Sequence, residues 1–371
     1  MSGPISSGDD AAIVITRAGT ITDEHASGRD ISGRTLVFAS GAGDAGSPTN
    51  PLETSISSIE ASSTGGIFLD NDQALTIGGV GAAVGLNVGG GIGIITDTRL
   101  DVTEHVHAVG DIRLTARDEA DPTANQVALA SDVHITSTGG DIALLGGDVF
   151  QLQSGHQLSA DGGSGEIVIA FDWGNADPGQ GNSFTLPRKV DGVFAASTLR
   201  FVGDSDSETL IIPELFLPKG SSTESLIVFE GGSGNDSVTA TLIDAPSVET
   251  RLMNVNVEAV HFQSVNALDA SWLLDTDPTT QQIPLFDQPD LVTDVAYLAS
   301  PATGGTRIVQ SAHSIISRFE TLDVDYTFGS GVDSLTVLAL KHPVDVKLGN
   351  GNDVATVGGN RGTTPVHPGN V

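Results

Sequence analysis

The chain has 371 residues, in which 47 Asp and Glu stand against 16 Lys and Arg, so its formal net charge is −31. Such a charge repels phosphate backbones and anionic lipid, which argues against nucleic acid as a partner and against insertion into a membrane. The chain has no cysteine, which excludes disulfides, thiol nucleophiles and cysteine-ligated metals.

Glycine and other small residues dominate the composition. There are 46 glycines, and aromatic residues make up only 5% of the chain. We find no long stripe of apolar residues at helical spacing, whereas short alternating runs separated by glycine occur throughout. The sequence therefore predicts an all-β chain of short strands joined by tight turns.

A five-residue phrase, glycine–acid–apolar–any–apolar, recurs in the N-terminal half. The copies, with the loosest one first, are 65–69 (GGIFL), 110–114 (GDIRL), 140–144 (GDIAL) and 165–169 (GEIVI). Repeats of about 20 to 30 residues cannot bury their apolar side alone, but stacked repeats form a continuous core. The phrase therefore predicts a parallel β-helix, a solenoid in which the strand at Ile142 lies next to those at Ile112 and Ile167. The alternative is a β-sandwich with irregular strands.

The stretch 172–187 (DWGNADPGQGNSFTLP) interrupts this rhythm and indicates an insertion or a boundary. Beyond it, Asp204, Asp206 and Glu208 alternate, so they would face one way on a strand. Such a group can bind a cation, but it lacks the glycine and the distal glutamate of an EF-hand loop. We therefore expect a solvated acidic face at these three residues.

Nonamers of the pattern G-G-x-G-x-D-x-U-x, in which U is large and apolar, mark the C-terminal half. The first spans 231–239 (GGSGNDSVT), and two looser copies span 328–336 (FGSGVDSLT) and 348–356 (LGNGNDVAT). In parallel β rolls the first half of the pattern is a calcium-holding turn and the second half is a short strand. The last two copies are 20 residues apart, so their turns can lie one above the other.

These motifs carry a resemblance to known families. The C-terminal half resembles the repeats of repeats-in-toxin proteins and of giant bacterial surface proteins that carry scattered copies. The N-terminal half, with TSTGGDIALLGGDVFQL and GDIRLTA, resembles the repeats of filamentous-haemagglutinin-like adhesins. Both families imply right-handed parallel β-helices, secretion, and adhesive or structural roles.

The resemblance also implies a set of calcium ligands. Three aspartates and the carbonyl groups of nearby glycines would hold the ion: Asp236, Asp333, Asp353, Gly234, Gly331 and Gly351. Stacked at their 20-residue offset, Asp333 and Asp353 can share one ion. The alternative is that the glycines form ordinary turns, in which the carboxylates cap local N–H groups.

The predicted organisation has four parts. Residues 1–172 carry the haemagglutinin-like repeats, and residues 173–197 are an irregular insertion or boundary. Residues 198–360 form a second β-helical segment with the glycine–aspartate turns, and residues 361–371 are a flexible tail. The two β-helical segments are expected to be stacked or to adjoin.

The expected function is that of a non-catalytic, elongated, adhesin-like or structural segment. It would act outside the cell or at its surface within a longer secreted protein, because no secretion signal is recognisable at either end. Ca²⁺ is the expected structural cofactor, and cell-surface glycans or neighbouring protein segments are the expected partners.

The alternative function is that of a carbohydrate-active β-helix enzyme, such as a polysaccharide lyase, hydrolase or depolymerase. These enzymes use grooves lined with carboxylates and basic side chains. The chain has no nucleophile elbow, phosphate loop or His-Glu-x-x-His motif, and its basic residues are scattered. We therefore expect no catalysis.

Overall fold

The structure is a computed structural model of the chain. It describes residues 5–7, 12–24, 28–81, 85–119, 125–174, 176, 181–186, 192–204, 206–216, 224–232 and 236–240, and beyond these the backbone of the strands as far as Val357. Within that part the chain is all-β, as predicted, since the helical content is a single 3₁₀ turn at Asp161–Gly163. No helix of the described part is long and apolar enough to cross a membrane.

The strands form long sheets in which almost every neighbouring pair is parallel. An 18-stranded sheet begins with the strands Ile5–Ser6, Ile31–Ser32, Leu52–Ser55, Ile67–Asn71, Ile92–Thr96, Ile112–Ala116, Ile142–Gly146, Glu166–Phe171, Thr198–Val202, Leu215–Phe216, Glu224–Glu230, Ile243–Val255 and Val265–Asp275. A 12-stranded sheet comprises Ala12–Ala18, Thr35–Ala42, Ser58–Ser63, Leu75–Ile77, Leu86–Val88, Leu100–Val102, Val106–Ala108, Gln126–Leu129, His134–Ser137, Val149–Leu152, His156–Ser159 and Gly192–Ala195. A 4-stranded sheet comprises Ser183–Thr185, Thr209–Ile212, Ser237–Ala240 and Ala259–Phe262.

The strands follow one another in a repeating order. From Ile67 to Val202, each strand of the 18-stranded sheet is followed by two strands of the other sheets before the chain returns to it. We call each such group of three strands a repeat. Ile142 pairs with Ile112 on one side and with Ile167 on the other, so the predicted neighbours of this strand are confirmed. The loosest copy of the phrase also fits, because Ile67 pairs with Ile92, which pairs with Ile112.

The core is a set of columns of apolar side chains that run from repeat to repeat. Side chains of a strand alternate between its two faces, so a parallel in-register stack places like residues above one another. One column, all of it at most 2% exposed, consists of Ile67, Ile92, Ile112, Ile142, Ile167, Leu199 and Ile227. Burying each such side chain stabilises the fold by about 1.5 to 3 kcal/mol.

Hydrogen bonds between repeats explain the acid of the phrase. Oδ1 of Asp111 accepts a hydrogen bond of 3.0 Å from the amide of Asp141, and Oδ1 of Asp141 accepts one of 2.7 Å from the amide of Glu166. The preceding glycine is required by space, since a Cβ at Gly140 would lie 2.6 Å from the amide nitrogen of Asp111. The phrase therefore joins successive repeats, because the acid of one turn accepts a hydrogen bond from an amide of the next turn.

In the C-terminal part, three strands that pair antiparallel with one another precede further parallel pairs. Val295–Ala299, Thr306–Gln310 and Ile316–Phe319 pair antiparallel in sequence order. Val324–Thr327 then pairs in parallel with Val344–Lys347, and Ser334–Val337 with Val354–Val357.

The predicted division into four parts stays a prediction. Within the expected insertion, Ser183–Thr185 pairs with Thr209–Ile211, and Gly192–Ala195 pairs with His156–Ser159. The stretch therefore supplies strands to the same sheets as its neighbours.

Candidate functional site

The structure describes one of the predicted calcium ligands, Asp236. It is 2% exposed and directly precedes the strand Ser237–Ala240. The other five predicted ligands lie outside the described residues: Gly234, Asp333, Gly331, Asp353 and Gly351. The strands that follow the last two nonamer turns do pair in parallel, with Ser334 opposite Val354, which is the predicted 20-residue offset.

Asp236 belongs to a column of polar residues at the start of the 4-stranded sheet. The amide of Thr209 donates a hydrogen bond of 2.8 Å to the carbonyl oxygen of Asn182, and the amide of Ser237 donates one of 2.8 Å to that of Glu208. These bonds place Asn182, Glu208 and Asp236 in successive repeats at equivalent positions. Oδ1 of Asp236 accepts a hydrogen bond of 2.8 Å from the amide of Glu208. The carboxylate therefore caps an N–H group of the preceding repeat.

Glu208 lies between two other buried carboxylates. It is 2% exposed, and it contacts Asp236 in the next repeat and Asp172 at the end of the strand Glu166–Phe171. Asp172 is itself 3% exposed. We call Asp172, Glu208 and Asp236 the carboxylate cluster.

The cluster perturbs the acidity of its members. Burial, and then the neighbouring Asp236 and Asp172, raise the pKa of Glu208 to about 10. Burial also raises the pKa of Asp172 to about 6 and moves the pKa of Asp236 upward. Desolvation disfavours a charged carboxylate, and like charges reinforce the effect.

Local backbone geometry makes room for the cluster. Asp172 has a φ of 73°, in the left-handed region that non-glycine residues seldom adopt, which turns its side chain at the strand end. A Cβ at Gly203 would lie 2.8 Å from Oε2 of Glu208 and 2.7 Å from the carbonyl oxygen of Gly231, so only glycine fits there. Beside Glu208, Asp236 and Gly231 lies a small, mostly apolar cavity of about 10 Å³, which Phe171, Phe201 and Phe229 also line.

The expectation of a solvated acidic face at Asp204, Asp206 and Glu208 was wrong. These residues precede the strand Thr209–Ile212 and are not part of it, so the period of two does not apply to them. Asp204 and Asp206 are half-buried, whereas Glu208 is buried. The sequence missed Asp172 because its place in the cluster depends on pairing between repeats that are far apart along the chain.

A second group of carboxylates lies near the N-terminus. Asp23, Asp30 and Glu53 have oxygen atoms within 4.8 Å of one another, and within the described residues they are the one such group of three that meets this distance. Burial and then contact with Asp30 raise the pKa of Glu53. The backbone links the last two residues, since the amide of Glu53 donates to Oδ2 of Asp30 over 3.1 Å.

An open groove of about 810 Å³ crosses the outer face of the 18-stranded sheet. The half-buried ring of Phe68 lies over the backbone of Gly66 and Gly93, where a Cβ would come within 2.8 and 2.9 Å of ring atoms. The groove is further lined by prolines, an arginine and acidic residues: Pro48, Pro51, Asp111, Arg113 and Asp141.

Comparisons with known proteins gave no match. No protein-family model, no curated protein and no solved structure is significantly similar to this chain. The resemblance to adhesins and repeats-in-toxin proteins therefore stays a prediction that depends on the motifs.

Proposed function

We propose that the chain is an elongated, non-catalytic, adhesin-like or structural segment of a longer secreted protein, folded as a right-handed parallel β-helix. The observation that carries the proposal is the unbroken register of the repeats, in which Ile67, Ile142 and Ile227 belong to one buried column. The strands of each repeat pair with those of its neighbours and leave an outer face that recurs along the stack, which suits attachment or a surface layer.

The dimensions of a sheet support an extended shape. Neighbouring strands lie about 4.8 Å apart, so a column of about ten strands is on the order of 50 Å long. Small-angle X-ray scattering of the purified chain tests this shape. We expect a maximum dimension well above that of a sphere of the same mass, and a spherical scattering profile would contradict the proposal.

The groove at Phe68 is the proposed contact surface for cell-surface glycans. An aromatic ring offers a flat apolar face to a sugar ring, and a few convergent polar groups such as Arg113 and Asp141 give orientation. A glycan array probed with the native chain and with Phe68→Ala is the test. We expect binding that the substitution abolishes and that Val14→Ala, at an exposed site of 61%, leaves unchanged.

A carbohydrate-active enzyme is the second candidate function. The groove favours it in one respect, because Asp111 and Asp141 lie on adjacent repeats beside Arg113. Carboxylates placed near one another can act as acid and base on a glycosidic bond. Incubation with acidic and neutral polysaccharides separates the two functions. Depolymerisation that is lost in Asp141→Asn would favour the enzyme, whereas binding without cleavage favours the adhesive segment.

Calcium at the C-terminal turns is part of the proposal. Asp333 and Asp353 would share an ion between stacked repeats, with the carbonyl groups of Gly331 and Gly351 as further ligands. The parallel pairing of Ser334 with Val354 supports this arrangement.

A further inference from the structure

We propose that the groove at Phe68 binds a neutral glycan that carries one carboxylated sugar, and that Arg113 selects this sugar by pairing with its carboxylate. The inference rests on the proposed glycan-binding role of the groove. It adds the chemical class of the sugar and the residue that recognises it.

The ring of Phe68 lies flat against the backbone of neighbouring glycines. A Cβ at Gly93 would lie 2.9 Å from Cδ1 of the ring, and a Cβ at Gly66 would lie 2.8 Å from Cε2, which is the atom opposite Cδ1. One face of the ring therefore covers these glycines. Because Phe68 is only half-buried and lines the groove, its other face is open to a ligand. Such a face offers a large, rigid apolar contact to a sugar ring.

Arg113 lies two strands away from Phe68 in the same register. Gly93 pairs with Phe68 on one side and with Arg113 on the other, and Arg113 pairs in turn with Ala143. Neighbouring strands lie about 4.8 Å apart, so the backbones of Phe68 and Arg113 are roughly 10 Å apart. Gly93 has no side chain to fill this space. A sugar ring stacked on Phe68 is therefore within reach of the Arg113 side chain.

The guanidinium of Arg113 has no carboxylate partner among the residues that the structure describes. Arg113 is exposed and lines the groove, so its five N–H donors face water or a ligand. A carboxylate can accept two of these hydrogen bonds at once, in a pairing that a lysine does not reproduce. Other arginines of the described part pair with acids of the chain itself: Arg29 with Asp72, Arg99 with Asp101, Arg117 with Asp70 and Asp97, and Arg200 with Glu166 and Glu230.

Asp111 and Asp141 limit the negative charge that the groove accepts. Both are exposed and line the groove, and Oδ1 of each accepts the amide hydrogen bond that joins two repeats, so their charges are held in place. A polymer with a carboxylate on every sugar would bring further charges against these acids and against the net charge of −31. The groove therefore fits one carboxylate on an otherwise neutral glycan.

A glycan array tests the proposal when it holds neutral glycans, the same glycans capped with one sialic or glucuronic acid, the methyl esters of the capped glycans, and polygalacturonate. We expect the native chain to bind capped glycans such as sialyllactose about tenfold more tightly than their methyl esters, which keep the shape and lose the charge. Polygalacturonate should not bind.

Two arginine variants locate the selection. Arg113→Gln should abolish the preference for the charged glycans over their esters, and it should fold because it removes an exposed side chain. Arg99→Gln removes an exposed positive charge beside the strand Leu100–Val102 of the other sheet, and it should bind as the native chain does.

The outcomes separate this inference from the proposed function. Equal binding of neutral, capped and esterified glycans, or a preference that survives Arg113→Gln, overturns the inference. Stronger binding of polygalacturonate than of the singly charged glycans overturns it as well. In each of these cases, glycan binding that Phe68→Ala abolishes still supports the groove as a glycan surface. No binding of any glycan on the array overturns both.

Discussion

Several turn residues in this chain make hydrogen bonds between repeats that their local sequence does not reveal. The acids of the glycine–acid phrase cap amides of the next repeat, as Asp111 does for Asp141. Asp236 caps the amide of Glu208, which lies in the preceding repeat and not in the next one. The sequence predicted Asp236 as a ligand by its place in a nonamer, but it could not predict Asp172 or the burial of Glu208. Those features depend on which residues of distant repeats become neighbours.

The carboxylate cluster predicts how stability depends on pH when calcium is chelated. Below about pH 4 the carboxyl groups are protonated in both states, so the raised pKa values of Glu208 and Asp172 have no effect. As the pH rises above their ordinary values, the unfolded chain releases these protons while the folded chain keeps them. Folding is then increasingly disfavoured, through a pH of about 6 for Asp172 and on toward about 10 for Glu208.

We therefore expect the melting temperature in chelator to fall between about pH 5 and about pH 8. Glu208 faces Asp236 and Asp172, and the charges of Asp206 and Asp118 also raise the pKa of Asp172. Glu208→Gln should flatten the decline, whereas Glu119→Gln, which removes one exposed charge, should not. The interpretation fails if the two variants decline with the same slope in thermal scans.

Gly140 is expected to tolerate no side chain. A Cβ there would lie 2.6 Å from the backbone nitrogen of Asp111, which cannot move without breaking the stack. Gly140→Ala should therefore destabilise the fold by about 1 to 3 kcal/mol in urea denaturation. Gly81→Ala is the matched control, since its Cβ would have its nearest neighbour at 4.0 Å. Equal effects of the two substitutions would contradict the close approach.

Strands and their order were the most predictable elements. A recurring phrase with two apolar positions predicts both a strand and its neighbours in the stack, and the pairing of Ile142 with Ile112 and Ile167 confirms this prediction. The acidic stretch that ends at Glu208 shows the opposite case. Its alternation resembles that of a strand, but the strand begins only at Thr209. A period of two in three polar residues does not by itself indicate pairing.

The buried column makes a prediction at the scale of a strand. Ile142 is fully buried between Ile112 and Ile167, so Ile142→Ala leaves a cavity that neighbouring repeats cannot fill. We expect a loss of about 2 to 5 kcal/mol in the free energy of unfolding. Val14→Ala, at a site 61% exposed, should cost far less in the same urea titration. Comparable losses would mean that the column is not a packed core.

The folded molecule carries a formal net charge of −31, so repulsion between its carboxylates opposes folding. Arginines on the outer face offset part of it by bridging acids of different repeats. Arg117 pairs with Asp70 and Asp97, and Arg200 pairs with Glu166 and Glu230. A bound cation would offset more of the charge, which links the proposed calcium site at Asp333 and Asp353 to the composition.

Calcium is expected to raise the melting temperature of the native chain through Asp353. An ion that binds only the folded form stabilises it by about 2.7 kcal/mol when its free concentration is about 100 times its dissociation constant. Extracellular modules bind calcium with dissociation constants of about 0.1 to 1 mM, so millimolar calcium is required. In thermal scans with calcium and with chelator, Asp353→Ala should reduce the shift. A shift that survives this substitution unchanged would leave the turn at Asp353 without an ion.

The unequal spacing of the in-register column has a mechanical consequence. Ile92 pairs with Ile112, and Ile112 with Ile142, so one strand-to-strand step spans 20 residues and the next spans 30. If the chain is pulled by its ends and peels one repeat at a time, each rupture releases about 3.4 Å of contour per residue. Those two steps would then lengthen the tether by roughly 70 and 100 Å. An optical-tweezers trace would therefore show extension steps of unequal length. The order of these lengths identifies the order in which the repeats peel from the stack.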